Sequence, residues 1–395
     1  MSRQFDLGAV ARTLMFVLLP WLCTVAILGV AAFVSVAGAL SVRLSRVRQA
    51  LEKRSLALLL LLAFAAWAAV SSLWSNYPDH IQALKLWLTL LGGLLFADAA
   101  SKTQKDRKLT NSTGTASFVV LAILLGIEAL WSRPFNHALH PTLDIGTLDK
   151  TTGRATSVLI GMTWASAAGC VGWGPSRLRV MGMVALLALG GALSLQFNQI
   201  ANAVAFGIGL IAFALALIAP RLAIMGASGG LASWVLAAPF VTPLLFTDQR
   251  VVDALPMSGA ARVVIWRYVS GRIPEKFWFG HGLDASRTAP QMLPVRADYS
   301  VAAIPLHPHS ASMQIWFELG AVGALLAAAA LLVGGWSLAQ RSRGDRFSAA
   351  AAAATIASLG VIANLSYGIW QEWWDATMLL AAALVASAAP RAASS

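Results

Sequence analysis

The stretch HPHSASMQIWFELGAVGALL, beginning at His307, sets two histidines and a proline directly before a long apolar run and buries Glu318 within that run. An imidazole exchanges protons near neutral pH, and a carboxyl group inside an apolar helix must find donors or take part in chemistry. The chain has six histidines, His80, His137, His140, His281, His307 and His309. A second concentration of chemical groups lies just upstream. There Arg250, Arg262, Arg267, Arg272, Lys276, Arg287 and Arg296 are interspersed with Asp248, Asp253, Glu275, Asp284 and Asp298. The planar fork of arginine matches the oxygens of phosphate and diphosphate groups, which lipid-linked substrates carry. Attraction to anionic lipid headgroups, together with pairing to the five acids, would account for the same charges. HALH (His137 and His140) and HPH approach metal-ligand spacing, but neither has a third ligand at a fixed offset, so no metal is expected. Nor is there an acidic pair of the kind that holds Mg²⁺ on a diphosphate, or a glycine-rich phosphate loop, so no cofactor and no nucleotide are expected.

The elements that must position these groups are membrane helices. Of 395 residues, 58% are hydrophobic and 12% charged, with a mean hydropathy of +0.70, far from the roughly one-quarter charged residues of a soluble domain. In hydrocarbon the backbone must satisfy its own hydrogen bonds, so the long apolar stretches read as helices. The expected class is an all-α polytopic membrane protein. Spans are expected near Thr13–Ser41, Ser55–Trp74, Gln82–Ser101, Thr115–Ser132, Arg154–Val171, Leu178–Leu195, Ile200–Pro220, Leu222–Phe246, Ala311–Leu338, Ala349–Leu365 and Trp373–Ala389. The first stretch lacks a small-residue cleavage site and reads as an anchor; Pro20 would break it into a pinched pair, giving 12 helices in preference to 11. Cys23 and Cys170 both fall in apolar segments and form no disulfide framework.

The net charge of +12 sits mostly in short loops that fix topology, which argues against nucleic acid as a partner. RLSRVRQALEKR from Arg43, KTQKDRK from Lys102, SRLR from Ser176 and QRSRGDR from Gln340 give one consistent alternation with these loops and the C-terminus inside. All six histidines then fall outside, with two large outer loops, Arg133–Gly153 and about Thr247–Ser310. The chain divides into N-terminal helices (1–246), a large loop with short amphipathic helices (247–310) and C-terminal helices (311–395). Within that loop SGAARVVIWRYVSGRIPEKFWFGHG, from Ser258, reads as a short amphipathic helix running into a glycine turn. Trp266 and Trp278 suit the bilayer interface and would hold Arg262 at headgroup depth.

SGAARVVIWR, FGHGLDASR, HPHSASMQIWFELGAVGALL and YGIWQEWWDATMLL occur in that order between Ser258 and Leu380. Together they resemble the O-antigen ligase and O-antigen polymerase family of bacterial membrane glycosyltransferases. The resemblance implies a helical fold in the inner membrane with a large periplasmic loop. It implies transfer of a glycan from an undecaprenyl-diphosphate carrier to an acceptor hydroxyl, such as that of a lipid A-core sugar. By position, His309 matches the family's essential histidine and Arg262 the arginine of its long loop. Arg154, in TTGRATSVLIG, is similar to a second arginine, though Gly153 stands where asparagine is usual, and Ser310 follows His309 where asparagine is common.

On this reading His309 is the base or orients the acceptor, while Pro308 fixes the chain and Ser310 caps the next helix. Arg262 and Arg154 clamp the diphosphate in place of a metal, and Arg154 also reads as a snorkelling helix-end cation. Arg267, Arg287, Lys150, His281, Ser310 and Trp266 are expected to line the substrate site. Glu318 lies nine residues beyond His309, about 13 Å of helical rise, and is expected to be structural, the partner of a buried donor. A ligase is preferred to a polymerase or a protein O-oligosaccharyltransferase. A lipid-linked glycan transporter is the reading from another class, against which stands the absence of an internal repeat.

Overall fold

The computed structural model describes residues 6–42, 55–170, 175–342 and 345–388. Met1–Arg3, the basic run from Arg43, Val171, Arg343 and Gly344 of the run from Gln340, and the C-terminus lie outside the described residues. The chain is a bundle of helices: α1 (Leu7–Val25), α2 (Gly29–Leu40), α3 (Leu56–Ser71), α4 (Ile81–Ser101), α5 (Gln104–Leu130), α6 (Pro134–Leu139), α7 (Ile145–Gly169), α8 (Ser176–Ser194), α9 (Ile200–Ile218) and α10 (Pro220–Leu245). The large loop follows with α11 (Gln249–Ala254), α12 (Met257–Arg272) and an antiparallel hairpin, β1 (Met292–Arg296) and β2 (Tyr299–Ala302). Then come α13 (Ala311–Arg341), α14 (Arg346–Leu365) and α15 (Glu372–Ala388).

Among the described residues nine helices are long and apolar enough to cross a membrane. Three others fall short of that standard for different reasons. α2 has 12 residues and α15 has 17, while α7 carries Asp149, Lys150 and Arg154 in its first half. With these three the expected number of apolar helices is reached, and the protein is an all-α polytopic membrane protein. The pinched first pair exists, but Pro20 sits inside α1. The break comes at Ala26–Leu28, between α1 and α2. The Thr24 hydroxyl donates back to the Pro20 carbonyl one turn before it, at 2.8 Å.

The least exposed helix is α7, which packs against α1, α5, α8, α9, α14 and α15. Between lipid-bathed helices the hydrophobic effect is weak, so small residues that allow close approach carry the packing. α14, whose run Ala349–Ala354 is wholly buried, lies against α7, α9 and α10. Trp164 of α7 donates its indole N–H to the Ser358 hydroxyl of α14 at 2.8 Å.

The one irregularity that shapes the site is in α13, whose backbone leaves helical geometry at Gly320 (φ 65°, ψ −164°). The broken turn exchanges its hydrogen bonds with the segment Phe277–Gly282. Ala321 and Val322 N–H groups donate to the carbonyls of Phe277 (2.8 Å) and Trp278 (3.2 Å). In return His281 and Gly282 N–H groups donate to the carbonyls of Phe317 and Glu318, both at 2.8 Å. The Leu319 carbonyl accepts the Trp67 indole at 3.0 Å. These freed groups are paired, as non-helical backbone at membrane depth requires. Only glycine fits where the two segments cross: a Cβ on Gly280 would stand 2.3 Å from the Glu318 carbonyl oxygen, and one on Gly320 2.5 Å from the Trp278 carbonyl carbon.

Candidate active site

His309 sits in the short connection between the hairpin and α13, with a left-handed backbone (φ 55°). Histidine visits this region more readily than most residues, but it is still a costly conformation that the surroundings must impose. Three contacts impose it. The Trp266 indole of α12 donates to the Pro308 carbonyl at 2.8 Å. The backbone N–H of His309 donates to Nδ1 of His307 at 3.1 Å. Ser310 caps α13, its hydroxyl oxygen accepting from the Met313 N–H while its proton faces Oδ1 of Asn364 at 3.3 Å. That same oxygen accepts from the Ser312 hydroxyl at 2.6 Å, and the Asn364 amide donates to the Gly360 carbonyl at 2.9 Å. Trp266 thus turns inward to hold the His-Pro-His segment, whereas Trp278 is exposed.

These contacts assign the imidazole protons. Nδ1 of His309 lies 3.0 Å from the Ser366 carbonyl, which can only accept, so Nδ1 carries the proton. Nε2 then holds a free lone pair and has no hydrogen-bond partner among the described residues. His307 accepts at Nδ1 and is the other tautomer. Burial lowers the His309 imidazole to about 4, helped by the charge of Arg262 and opposed by the Ser366 carbonyl. Burial likewise brings His307 to about 3, with His309 and the charges of Arg287, Arg262 and Arg154 acting in the same direction. Both rings are neutral at physiological pH.

Arg262 lies on α12 and Arg154 on α7, and both charges act on His307 and on the Tyr367 phenol. Arg262 donates only to the Ser258 carbonyl, at 3.0 Å, and its buried Nε has no partner. Arg154 makes no hydrogen bond or ion pair among the described residues. Neither guanidinium has a carboxylate partner there, and burial lowers the Arg262 pKa. A half-buried guanidinium with no carboxylate beside it favours an anionic ligand.

The other residues expected at the site are distributed around it. Arg287 pairs with Asp284 (Nε to Oδ1, 3.2 Å), covers the Tyr77 ring at 5.6 Å, and acts on His307 through its charge. Arg267 donates to the Phe246 carbonyl and to Gln249, bracing the end of α10. His281 stacks on Phe317 with centroids 4.4 Å apart, and its Nε2 lies 3.3 Å from the Arg272 carbonyl. Lys150 is exposed, one turn before Arg154 on α7. Among the described residues no three His, Cys, Asp or Glu side chains converge as metal ligands.

Glu318 is a structural hub. Its carboxylate accepts from the Asp284 N–H (2.9 Å), the Ser286 N–H (3.4 Å), the Gln314 amide (3.0 Å) and the Trp370 indole (2.5 Å). It joins the large loop, α13 and the segment before α15. Tyr367, Asn364 and Gln314 were not singled out by residue type, because a lone tyrosine or amide in an apolar chain carries no spacing signal. The segment YGIWQEWWDATMLL contains Tyr367 and carries a signal only through the family resemblance.

The fold and site define a multi-pass membrane protein with a neutral histidine pair beside two arginines that lack acidic partners. The O-antigen ligase family model matches residues 167–328, which include Arg262, His309 and Glu318 and stop short of Arg154 on one side and Tyr367 on the other. A Rickettsia conorii protein whose name proposes a polysaccharide ligase is 26% identical over 79% of this chain and 74% of its own length. A Rickettsia felis protein with the same proposed activity is 26% identical over 79% of this chain and 76% of its own. The resemblance to the O-antigen ligase family drawn from the sequence is borne out by this match.

Proposed function

We propose that the protein is an O-antigen ligase of the bacterial inner membrane, acting on its periplasmic side. It transfers a glycan from undecaprenyl diphosphate to a sugar hydroxyl of lipid A-core. The observation that carries this reading is the pairing of two uncompensated arginines with an imidazole whose Nε2 is free. A diphosphate held by Arg154 and Arg262 supplies the anion these groups lack. The acceptor hydroxyl gives its proton to Nε2 of His309 as its oxygen attacks the anomeric carbon. The bond from that carbon to the diphosphate breaks, and undecaprenyl diphosphate departs with its growing charge against the arginines. Before the donor binds, burial and Arg262 keep the imidazole a weak base. The bound diphosphate offsets the arginine charge and raises the basicity of Nε2 when it is needed. No metal is required in this scheme, because the guanidiniums occupy its electrostatic role.

The test is deletion of the gene in its host, followed by restoration with the native protein or His309→Ala, with surface lipopolysaccharide separated on a gel. A ligase deletion leaves lipid A-core without polymer while undecaprenyl-linked polymer accumulates, and His309→Ala fails to rescue at normal membrane level. Core bearing a single repeat unit would assign polymerisation instead, and an unchanged ladder would overturn the lipopolysaccharide assignment.

A further inference from the structure

The connection between α14 and α15, residues 366–371, carries the Ser366 carbonyl that sets the His309 tautomer. Two buried side chains of α13 hold this connection just beyond Ser366. The Ile369 N–H donates to Oε1 of Gln314 at 2.9 Å, and the Trp370 indole donates to Oε2 of Glu318 at 2.5 Å. Gln314 and Glu318 are themselves joined one helical turn apart, Nε2 of the amide donating to Oε1 of the carboxylate at 3.0 Å. The fit is close. A Cβ on Gly368 would stand 2.9 Å from Cγ of His307 and 3.0 Å from Oε1 of Gln314, so the amide and the histidine pair meet the connection at this glycine.

The direction of these hydrogen bonds can be deduced. A primary amide accepts at one end and donates at the other. The Ile369 N–H can only donate, so it fixes Oε1 of Gln314 on its own side and turns Nε2 toward Glu318. Glu318 must then accept, and its other neighbours, the Asp284 N–H, the Ser286 N–H and the Trp370 indole, demand the same. A carboxylate satisfies all four donors, whereas any N–H or O–H in its place would be set against one of them. Polarity thus runs from Glu318 through Gln314 to Ile369, and a buried network of this kind is rigid only when every member is satisfied.

We propose that Gln314 and Glu318 are positioning residues for His309. The carboxylate orients the amide, the amide holds the connection at Ile369, and the connection presents the Ser366 carbonyl to Nδ1. Nδ1 then keeps the proton and Nε2 keeps its lone pair for the acceptor hydroxyl. Without this hold the carbonyl drifts, and the imidazole populates the tautomer protonated at Nε2, which cannot take up a proton there. The catalytic consequence rests on the reading of His309 as the base; the control of its tautomer does not.

The experiment uses the full chain labelled with nitrogen-15 histidine, in which the ring-nitrogen shifts report the tautomer, and His309→Ala identifies the His309 signals. The same preparations, in proteoliposomes with an undecaprenyl-diphosphate-linked glycan as donor and lipid A-core as acceptor, give kcat and the donor KM. Gln314→Met keeps the length of the side chain and removes both amide contacts. It is expected to give a mixture of His309 tautomers and a kcat lower by about tenfold, with the donor KM within about twofold of native. Glu318→Gln sets an amide N–H against one of the donors and is expected to act in the same direction; Gln314→Met carries the test if it fails to fold. Combining Gln314→Glu with Glu318→Gln exchanges the two groups and restores the polarity. The carboxylate then accepts from Ile369 and from the new amide, whose oxygen takes the Asp284 N–H and the Trp370 indole. This double variant is expected to recover a single tautomer and a kcat within about threefold of native. A role in stability alone would lower the unfolding midpoint and leave the tautomer native in every folded variant, which overturns the proposal, as does a fall in kcat with the tautomer unchanged. A mixed tautomer with native kcat would leave the positioning intact and remove His309 as the base.

Discussion

Protonation decides what His309 can do, and it gives the reaction a testable pH signature. A free histidine titrates near 6.5, while His309 in the unliganded protein is held at about 4 and His307 at about 3, both chiefly by burial. The dependence of kcat/KM on pH reports the unliganded enzyme. Its acid limb is therefore expected near 4, with activity at pH 6 close to that at pH 7.5, rather than a fall beginning at 6.5. A limb at 6.5 in a pH–rate profile would show an imidazole in contact with water and remove the enclosed site. The stability effect has the same sign. Both folded pKa values are depressed, so the neutral form favours folding fully above 6.5, and stability is lost as the pH falls from 6.5 toward 4. The two histidines were legible in the sequence as proton-transfer groups at the mouth of a span. Their tautomers were not, because these depend on the Ser366 carbonyl, 57 residues away in the chain.

At the scale of elements, the break in α13 is the device that brings the loop to the site. The apolar run from Ala311 read as one uninterrupted span, and its composition hides the break, since Gly320 is one of several glycines there. What singles it out is a backbone conformation reserved for glycine and the crossing with Phe277–Gly282. The periodic signals that predict helices are local, whereas this pairing joins segments about 40 residues apart. Glu318 was legible as an acid that needed donors, but the donors Asp284, Ser286 and Trp370 come from distant segments. The hairpin of Met292–Ala302 is also hidden in the sequence, because Pro294 interrupts its alternation and the register slips between Pro294 and Arg296. Gly320→Ala is expected to destabilise the protein by about 3 kcal/mol or more through forbidden backbone geometry and overlap with Trp278. Gly334→Ala, in the regular part of the same helix with open space around it, is expected to be neutral or to stabilise by up to about 1 kcal/mol. Thermal unfolding in detergent compares the two, and equal midpoints would show that the break is not required.

For the whole molecule the question is which face carries the site, and α7 provides a ruler. Lys150 lies near its start, and the helix ends at Gly169. Nineteen residues of α-helix rise about 28 Å, close to the thickness of the hydrocarbon core. Arg177, at the beginning of α8, belongs to a short basic segment of the kind that stays cytoplasmic. The two residues are exposed in the protein and should stand on opposite sides of the membrane. Both native cysteines are buried, so introduced thiols report alone. In spheroplasts stripped of outer membrane, a membrane-impermeant maleimide is expected to label Lys150→Cys directly and Arg177→Cys only after lysis. Arg154, one turn further along α7 than Lys150, then faces the periplasmic leaflet, as does Arg262, whose charge acts with that of Arg154 on His307. The reverse labelling pattern would put the arginine–histidine site on the cytoplasmic side, where sugar nucleotides are at hand, and would overturn the assignment of a periplasmic transferase. The prediction is strict because the site and the topology rest on separate physics. Unpaired guanidiniums define the first, and the distribution of short basic loops defines the second.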